Sequence, residues 1–442
     1  MDEWRTMGAA ALGREIGAGR IDPTELAEVM LDAIARHPHG HEIYARTTPD
    51  RARAEARAAR ERARAGLQRG PLDGVPVSWK DLFDTAGTAT EGGSALLAGR
   101  VPAADARVVA RATAAGLVCL GKTHLTELAF SGLGLNPVTG TPPNVHDAEA
   151  LPGGSSSGAA ASVAFGLAAG AIGSDTAGSV RIPAAWNDLV GLKTSHGVIP
   201  LDGALPLCPS FDTAGPLARM VEDAALLTAA MQGGRPPDLR GASLQGARLL
   251  VLETVAFDAI DDGPARGFDE ALKRLADAGA EIARIEAPEV AEAVDLSASL
   301  FAPEAYGTWS AEIEARPELM FDPVRERFRG GRDFPAHAYV AGWARLRELR
   351  QIYRARTAGA DAVILPTCAI APPKRQAVLD DHALFAERNL MTLRNTRIGS
   401  LLDLCGLTLP TGTPSAGILF QAPGGQDARL LRLGAAAEGA LA

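Results

Sequence analysis

Lysine is scarce in this chain. Of its 44 basic residues only five are lysine (Lys80, Lys122, Lys193, Lys273 and Lys374), and arginine fills the other positions. Where arginine has displaced lysine so widely, each surviving amine raises the question of why a guanidinium, which never gives up its proton, would not serve there. Cysteine is also sparse. Cys119, Cys208, Cys368 and Cys405 are far apart and mostly among apolar neighbours, which leaves neither a metal-ligand pair nor a disulfide framework and suggests buried free thiols in a reducing cytosol. No basic run exists to grip a phosphate backbone, and the net charge of −9 is spread along the chain, so nucleic acid is not expected as a direct partner. The most apolar stretch, Ala159 to Ile172, is interrupted by Ser162 and falls short of the about 18 residues a membrane span needs. The opening Met1-Asp2-Glu3-Trp4-Arg5 lacks the basic-then-apolar order of a secretory signal. Together these absences describe a soluble, cytoplasmic globular protein with no membrane partner.

Hydrophobic residues, at 47% of 442 positions, supply ample core. The first 70 residues read as helical. Asp22-Pro23-Thr24-Glu25 provides an N-cap, a proline at the first helical position and an acidic third residue, and an Ala/Arg-rich helix runs from about Asp50 to a stop at Gly66. From Pro71 the pattern changes. Strands are expected at Val75 to Lys80, Leu117 to Leu120, Leu249 to Leu252, Glu281 to Ile285 and Ala362 to Pro366, with helices at 107–115 and 264–278. Continuous apolar strands alternating with helices indicate one large α/β domain, residues 70–442, with a mixed, mostly parallel sheet covered by helices. A mainly helical region, 300–357, is read as part of a substrate wall. A loop rich in Gly, Pro, Asn and Thr spans about Ser131 to Gly154, and loops of that length inside a compact domain are often functional.

The chemistry concentrates in two Gly/Ser-rich segments, Pro152-Gly153-Gly154-Ser155-Ser156-Ser157-Gly158 and Gly173-Ser174-Asp175-Thr176-Ala177-Gly178-Ser179-Val180-Arg181. A flexible linker fits poorly, because the flanks are apolar and helical. A phosphate loop would need Gly-Lys-Ser/Thr, and Ala159 stands where a lysine would help. Gly154 to Gly158 formally matches the nucleophile elbow with Ser156 as nucleophile, but no strand precedes it. What remains is a backbone-dense site. A helix beginning beside Ser156 aims its free N–H groups at it, and Thr176-Ala177-Gly178-Ser179 exposes several backbone N–H groups that fit an oxyanion hole.

A serine nucleophile needs a base. Among the eight histidines only His196 is a candidate, and no orienting carboxylate accompanies it. Lysine can serve if burial drives its pKa down from about 10.4. Lys80 ends an apolar strand beside Trp79, a suitable setting.

At this point the residues resemble the amidase signature family. Gly74-Val75-Pro76-Val77-Ser78-Trp79-Lys80-Asp81 is similar to its catalytic-lysine strand, Ser155 falls where it places a serine on a cis peptide, and Ser179 falls on its nucleophile, 24 residues later. Gly121-Lys122-Thr123, Gly191-Leu192-Lys193, Ser210-Phe211-Asp212-Thr213-Ala214-Gly215-Pro216 and Leu409-Pro410-Thr411-Gly412 extend the likeness, which is strong over residues 70–220 and weaker beyond. Ser157, Ala159 and Lys193-Thr194-Ser195 depart from the usual pattern without touching the three catalytic positions. The resemblance implies an amidase that hydrolyses small amides, anilides or carbamates through a Ser179 acyl-enzyme, with a Lys80–Ser155 proton relay and no metal or organic cofactor. It implies that Thr176, Ala177, Gly178 and Ser179 hold the oxyanion and that Ala129 and Phe130 line the substrate pocket. Ser156, Asp175 and Arg181 would stand behind the catalytic groups, the latter two equally readable as a structural ion pair; Lys122 and Lys193 are read as structural. A monomer or homodimer acting on a small molecule is expected. The glutaminase component of a glutamyl-tRNA amidotransferase, which works with partner subunits, and a non-catalytic scaffold of the same fold are the alternatives.

Overall fold

The computed structural model describes residues 2–442. The local signals near the N-terminus act as read. Asp22 accepts a hydrogen bond from the Thr24 N–H at 2.8 Å, and Pro23 begins the helix Pro23–Arg36. The arginine-rich helix Pro49–Ala65 stops at Gly66, whose left-handed φ of 67° suits glycine. Between the two lies a strand that the helical reading missed, β1 (Tyr44–Thr47). It stitches the N-terminal segment onto the sheet.

Eleven strands form one sheet: β1, β2 (Pro76–Lys80), β3 (Val118–Thr123), β4 (Gly170–Asp175), β5 (Val190–Lys193), β6 (Thr213–Ala218), β7 (Arg248–Leu252), β8 (Glu281–Ile285), β9 (Ala362–Pro366), β10 (Leu404–Pro410) and β11 (Gly417–Pro423). Their spatial order is β1-β3-β2-β4-β6-β5-β10-β11-β9-β7-β8. The sheet is mixed and covered by helices, as expected, but it is not mostly parallel. Only β2–β3, β2–β4, β7–β8 and β7–β9 run parallel, and the other six pairings are antiparallel. The reason lies in β4, β5, β6, β10 and β11. Short, glycine-bearing sequences such as Gly170-Ala171-Ile172-Gly173 and Val190-Gly191-Leu192-Lys193 show neither alternation nor long apolar runs, although every residue in them is buried.

One hydrophobic core runs the length of the sheet, with a small satellite cluster under the helix Ser157–Ala164. That helix is made almost entirely of small residues and is buried against β4. Close approach demands it: a methyl group on Gly158 would stand 2.4 Å from the Ile43 carbonyl. Among the described residues no helix is long and apolar enough to cross a membrane.

Candidate active site

Lys80 is the last residue of β2 and is completely buried. Parallel pairing of β2 with β4, with Trp79 opposite Ile172, carries the end of β4 to the same place. There the Lys80 amine hydrogen-bonds two hydroxyls, Ser155 Oγ at 2.7 Å and Ser174 Oγ at 2.8 Å. Burial drives the Lys80 pKa down to about 7, against the opposing pull of Asp175 and Asp212. A lysine so placed can be neutral near physiological pH.

Ser155 is held by the chain around it. The Gly154–Ser155 peptide is cis, the Gly154 N–H donates to the Gly132 carbonyl at 2.7 Å, and the Ser155 carbonyl accepts from the Thr126 N–H at 3.1 Å. A side chain on Gly154 would meet Gly134 N at 2.6 Å, so only glycine fits. The Ser156 hydroxyl donates to the Ser174 carbonyl at 3.2 Å and accepts from its N–H at 3.3 Å. It is therefore fully engaged, and the nucleophile-elbow match does not describe it. The Ser156 N–H donates to the Ser179 carbonyl at 3.2 Å, which clasps the two serine-bearing segments together. The Ser179 side chain is nearly buried, at 4% exposure, and its hydroxyl makes no hydrogen bond with any described residue. Of the relay expected from the sequence, the Lys80–Ser155 hydrogen bond is present, whereas none spans Ser155 and Ser179.

Asp175 shapes the turn that presents Ser179. One carboxylate oxygen accepts from the Gly178 N–H at 2.7 Å and Arg181 Nη2 at 2.8 Å; the other accepts from the Val180 and Arg181 N–H groups and from Arg181 Nε at 2.9 Å. Burial raises the Asp175 pKa, but the adjoining Arg181 guanidinium, Lys193 and the Val180 N–H together keep the carboxyl below its ordinary value. Arg181, equally buried, also donates to the Thr396 carbonyl at 2.7 Å and Ser400 Oγ at 3.2 Å. The pair is thus structural and positional at once. It also corrects the expected oxyanion hole. The Gly178 N–H already belongs to Asp175, whereas those of Thr176, Ala177 and Ser179 donate to no described acceptor. Thr176 is fixed through its hydroxyl, which donates to Asp212 Oδ1 at 2.5 Å.

A cavity of about 450 Å³ opens over this turn, lined by Leu82, Ala129, Ser174, Thr176 and the loop from His196 to Asp212. Ala129 lies on its wall with a left-handed φ of 61°. Phe130 instead packs away from the cavity against Phe328, ring centroids 4.6 Å apart. The 300–357 region backs the wall rather than lining it: Trp309 Nε1 donates to the Pro206 carbonyl at 2.8 Å. His196 faces the cavity, but its ring bonds the Pro209 carbonyl and has no carboxylate behind it. Lys122 and Lys193 are spent on backbone carbonyls, with Lys122 also pairing with Asp81. Among the described residues no cluster of His, Cys, Asp or Glu is arranged to hold a metal. Sequence reasoning missed Ser174, although its place beside Asp175 marks it as a polar residue at a strand end. It also missed Thr396, whose hydroxyl donates to the Ala177 carbonyl at 2.7 Å from 219 residues away.

Comparison with known proteins identifies the family. A family model described as amidase matches residues 25–431. The chain is 35% identical over 441 residues to the 2-amino-5-chloromuconic acid deaminase of Comamonas testosteroni, covering 96% of this chain and 95% of that one. It is 32% identical to the A-type subunit of the glutamyl-tRNA(Gln) amidotransferase of Thermobifida fusca (strain YX), covering 100% and 97%. Among solved structures, an amidase superposes with a TM-score of 0.87 at 30% identity, covering 99% of this chain and 100% of that one. The native peptide amidase from Stenotrophomonas maltophilia gives 0.83 at 27%, covering 98% and 97%. With the family matched over nearly its whole length, the chain belongs to the amidase family and is a hydrolase of carbon–nitrogen bonds.

Proposed function

We propose that the chain cleaves the C–N bond of small amides, anilides or carbamates through an acyl-enzyme on Ser179. The observation that carries this reading is the buried Lys80 amine, 2.7 Å from the Ser155 hydroxyl and 2.8 Å from that of Ser174. As a neutral base it takes the Ser155 proton and keeps an N–H on Ser174. Ser155 in turn takes the proton of Ser179, whose oxygen attacks the substrate carbonyl. The negative oxygen that forms meets the free N–H groups of Thr176, Ala177 and Ser179, each donor of this kind being worth about 2.7–4 kcal/mol. When the C–N bond breaks, the proton held on Lys80 returns through Ser155 to the leaving nitrogen. Water then attacks the ester, losing its proton along the same path; the acid departs and Ser179 regains its hydroxyl.

The test is release of ammonia or aniline from a panel of amides, anilides, aryl carbamates and 2-amino-5-chloromuconic acid, by wild type, Ser179→Ala and Lys80→Ala. Turnover confined to the wild type, with Ser179 labelled by a fluorophosphonate, supports the reading. A fluorophosphonate-inert wild type that folds normally would favour a scaffold. A second reading is favoured by the full-length similarity to the amidotransferase component of Thermobifida fusca: glutamine hydrolysis that appears only when partner subunits are added would select it.

A further inference from the structure

One wall of the cavity is held in a backbone that its residues disfavour. Leu128 and Ala129, the second of which lines the cavity, both have left-handed φ values, 46° and 61°. Neither is glycine, so their surroundings must hold them there. Backbone bonds supply part of the hold: the Leu128 N–H donates to the Gly92 carbonyl at 2.9 Å and the Ala129 N–H to that of Thr126 at 2.8 Å. The side chain of Glu127 supplies the rest. It is 1% exposed, and no lysine, arginine or histidine among the described residues pairs with it. One carboxylate oxygen accepts from the Ser94 hydroxyl at 2.7 Å, the other from the Phe321 N–H at 2.9 Å. Burial lifts the Glu127 pKa to about 7 in spite of both bonds. A buried acid without a cation is costly to keep, and here it stands in the turn that forms the wall.

The two bonds tie the turn to segments far apart in the chain. Ser94 opens the short helical turn Ala95–Leu97, and Phe321 precedes the helix Asp322–Arg329, whose Phe328 packs against Phe130. On the other side of Glu127, the Thr126 N–H donates to the Ser155 carbonyl. Building on the amidase reading, we infer that Glu127 is a positioning residue: its carboxyl braces the Leu128–Ala129 turn against Ser94 and Phe321 and so fixes where Ala129 stands on the substrate's side of the cavity. It touches neither the substrate nor the reacting atoms. The brace depends on reach rather than on charge. A glutamine there spans the same partners, its carbonyl accepting from the Phe321 N–H and its amide donating to Ser94 Oγ. An aspartate keeps the charge but is one methylene too short to meet both.

The experiment compares wild type, Glu127→Gln, Glu127→Asp and Glu127→Ala in three ways. These are kcat and KM on the anilide that wild type turns over fastest, labelling of Ser179 by a short-chain and by a bulky fluorophosphonate, and hydrogen exchange of the Leu128 and Ala129 amides. Glu127→Gln should stay within about threefold of wild type in every readout. Glu127→Asp and Glu127→Ala should raise KM about tenfold with kcat little changed, slow the bulky label about tenfold while sparing the short one, and speed exchange of both amides. Glu127→Asp matching wild type, or Glu127→Gln failing as Glu127→Ala does, would overturn the brace. So would a fall in kcat at constant KM, which would place Glu127 with the relay itself. Should Glu127→Ala not fold, the comparison of Glu127→Gln with Glu127→Asp decides. A wild type that turns over no amide would remove the proposed function instead, and the exchange rates of the four proteins then decide the brace on their own.

Discussion

In the proposed mechanism Lys80 works as a base only while it lacks its proton, and its pKa of about 7 places that change inside the working range. The sign follows directly. Below pH 7 the neutral fraction falls about tenfold per unit, so kcat/KM should fall about tenfold per unit on the acid side and level off above about pH 8. A pH profile of kcat/KM checks this; a flat profile from pH 5 to 9 would exclude Lys80 as the titrating base. Lys80→Met should lower kcat by about 10²–10⁴, and Lys80→Arg should do no better because arginine keeps its proton. Ser174→Ala removes one of two hydroxyls that orient the amine and should cost about tenfold in kcat, near the net worth of one hydrogen bond. Lys80, Ser155 and Ser179, the residues of the proposed relay, could be singled out in the sequence because acyl transfer calls for those residue types and glycines adjoin the two serines. Thr396 could not: it acts across 219 residues of chain from an ordinary helical pattern, and nothing local marks it.

At the scale of elements, the turn after β4 depends on one ion pair and one glycine. Asp175→Ala strands the Arg181 guanidinium in the core and frees three backbone N–H groups. Stability should drop by about 3–5 kcal/mol, read as a shift in the urea midpoint. Gly178 has a φ of 143° and stands against Thr396 and Ile182, so Gly178→Ala should destabilise by about 1–3 kcal/mol and lower kcat by moving the Ala177 and Ser179 N–H groups. The strands show why the sheet was only partly readable. β2, β7, β8 and β9 carry the branched, apolar residues that define a strand locally. β6 carries Pro216 while pairing with both β4 and β5, a placement that sequence reasoning counts against a central strand. Its identity is decided by what surrounds it.

At the scale of the whole molecule, all four thiols are buried and unpaired, and burial raises the pKa of each. A thiol reagent should modify none in the native protein and four after denaturation; rapid labelling of one in the native state would reveal a local opening. The order of the sheet carries a different consequence. β10 and β11 join two blocks that otherwise share no ladder, β1 through β6 on one side and β7 through β9 on the other. During synthesis on the ribosome the first block, with Lys80, Ser155 and Ser179 already in it, can assemble early. The second must wait for the last strands to emerge before it can be knitted on, so the three residues of the proposed relay all precede by more than two hundred residues the hairpin that completes the sheet.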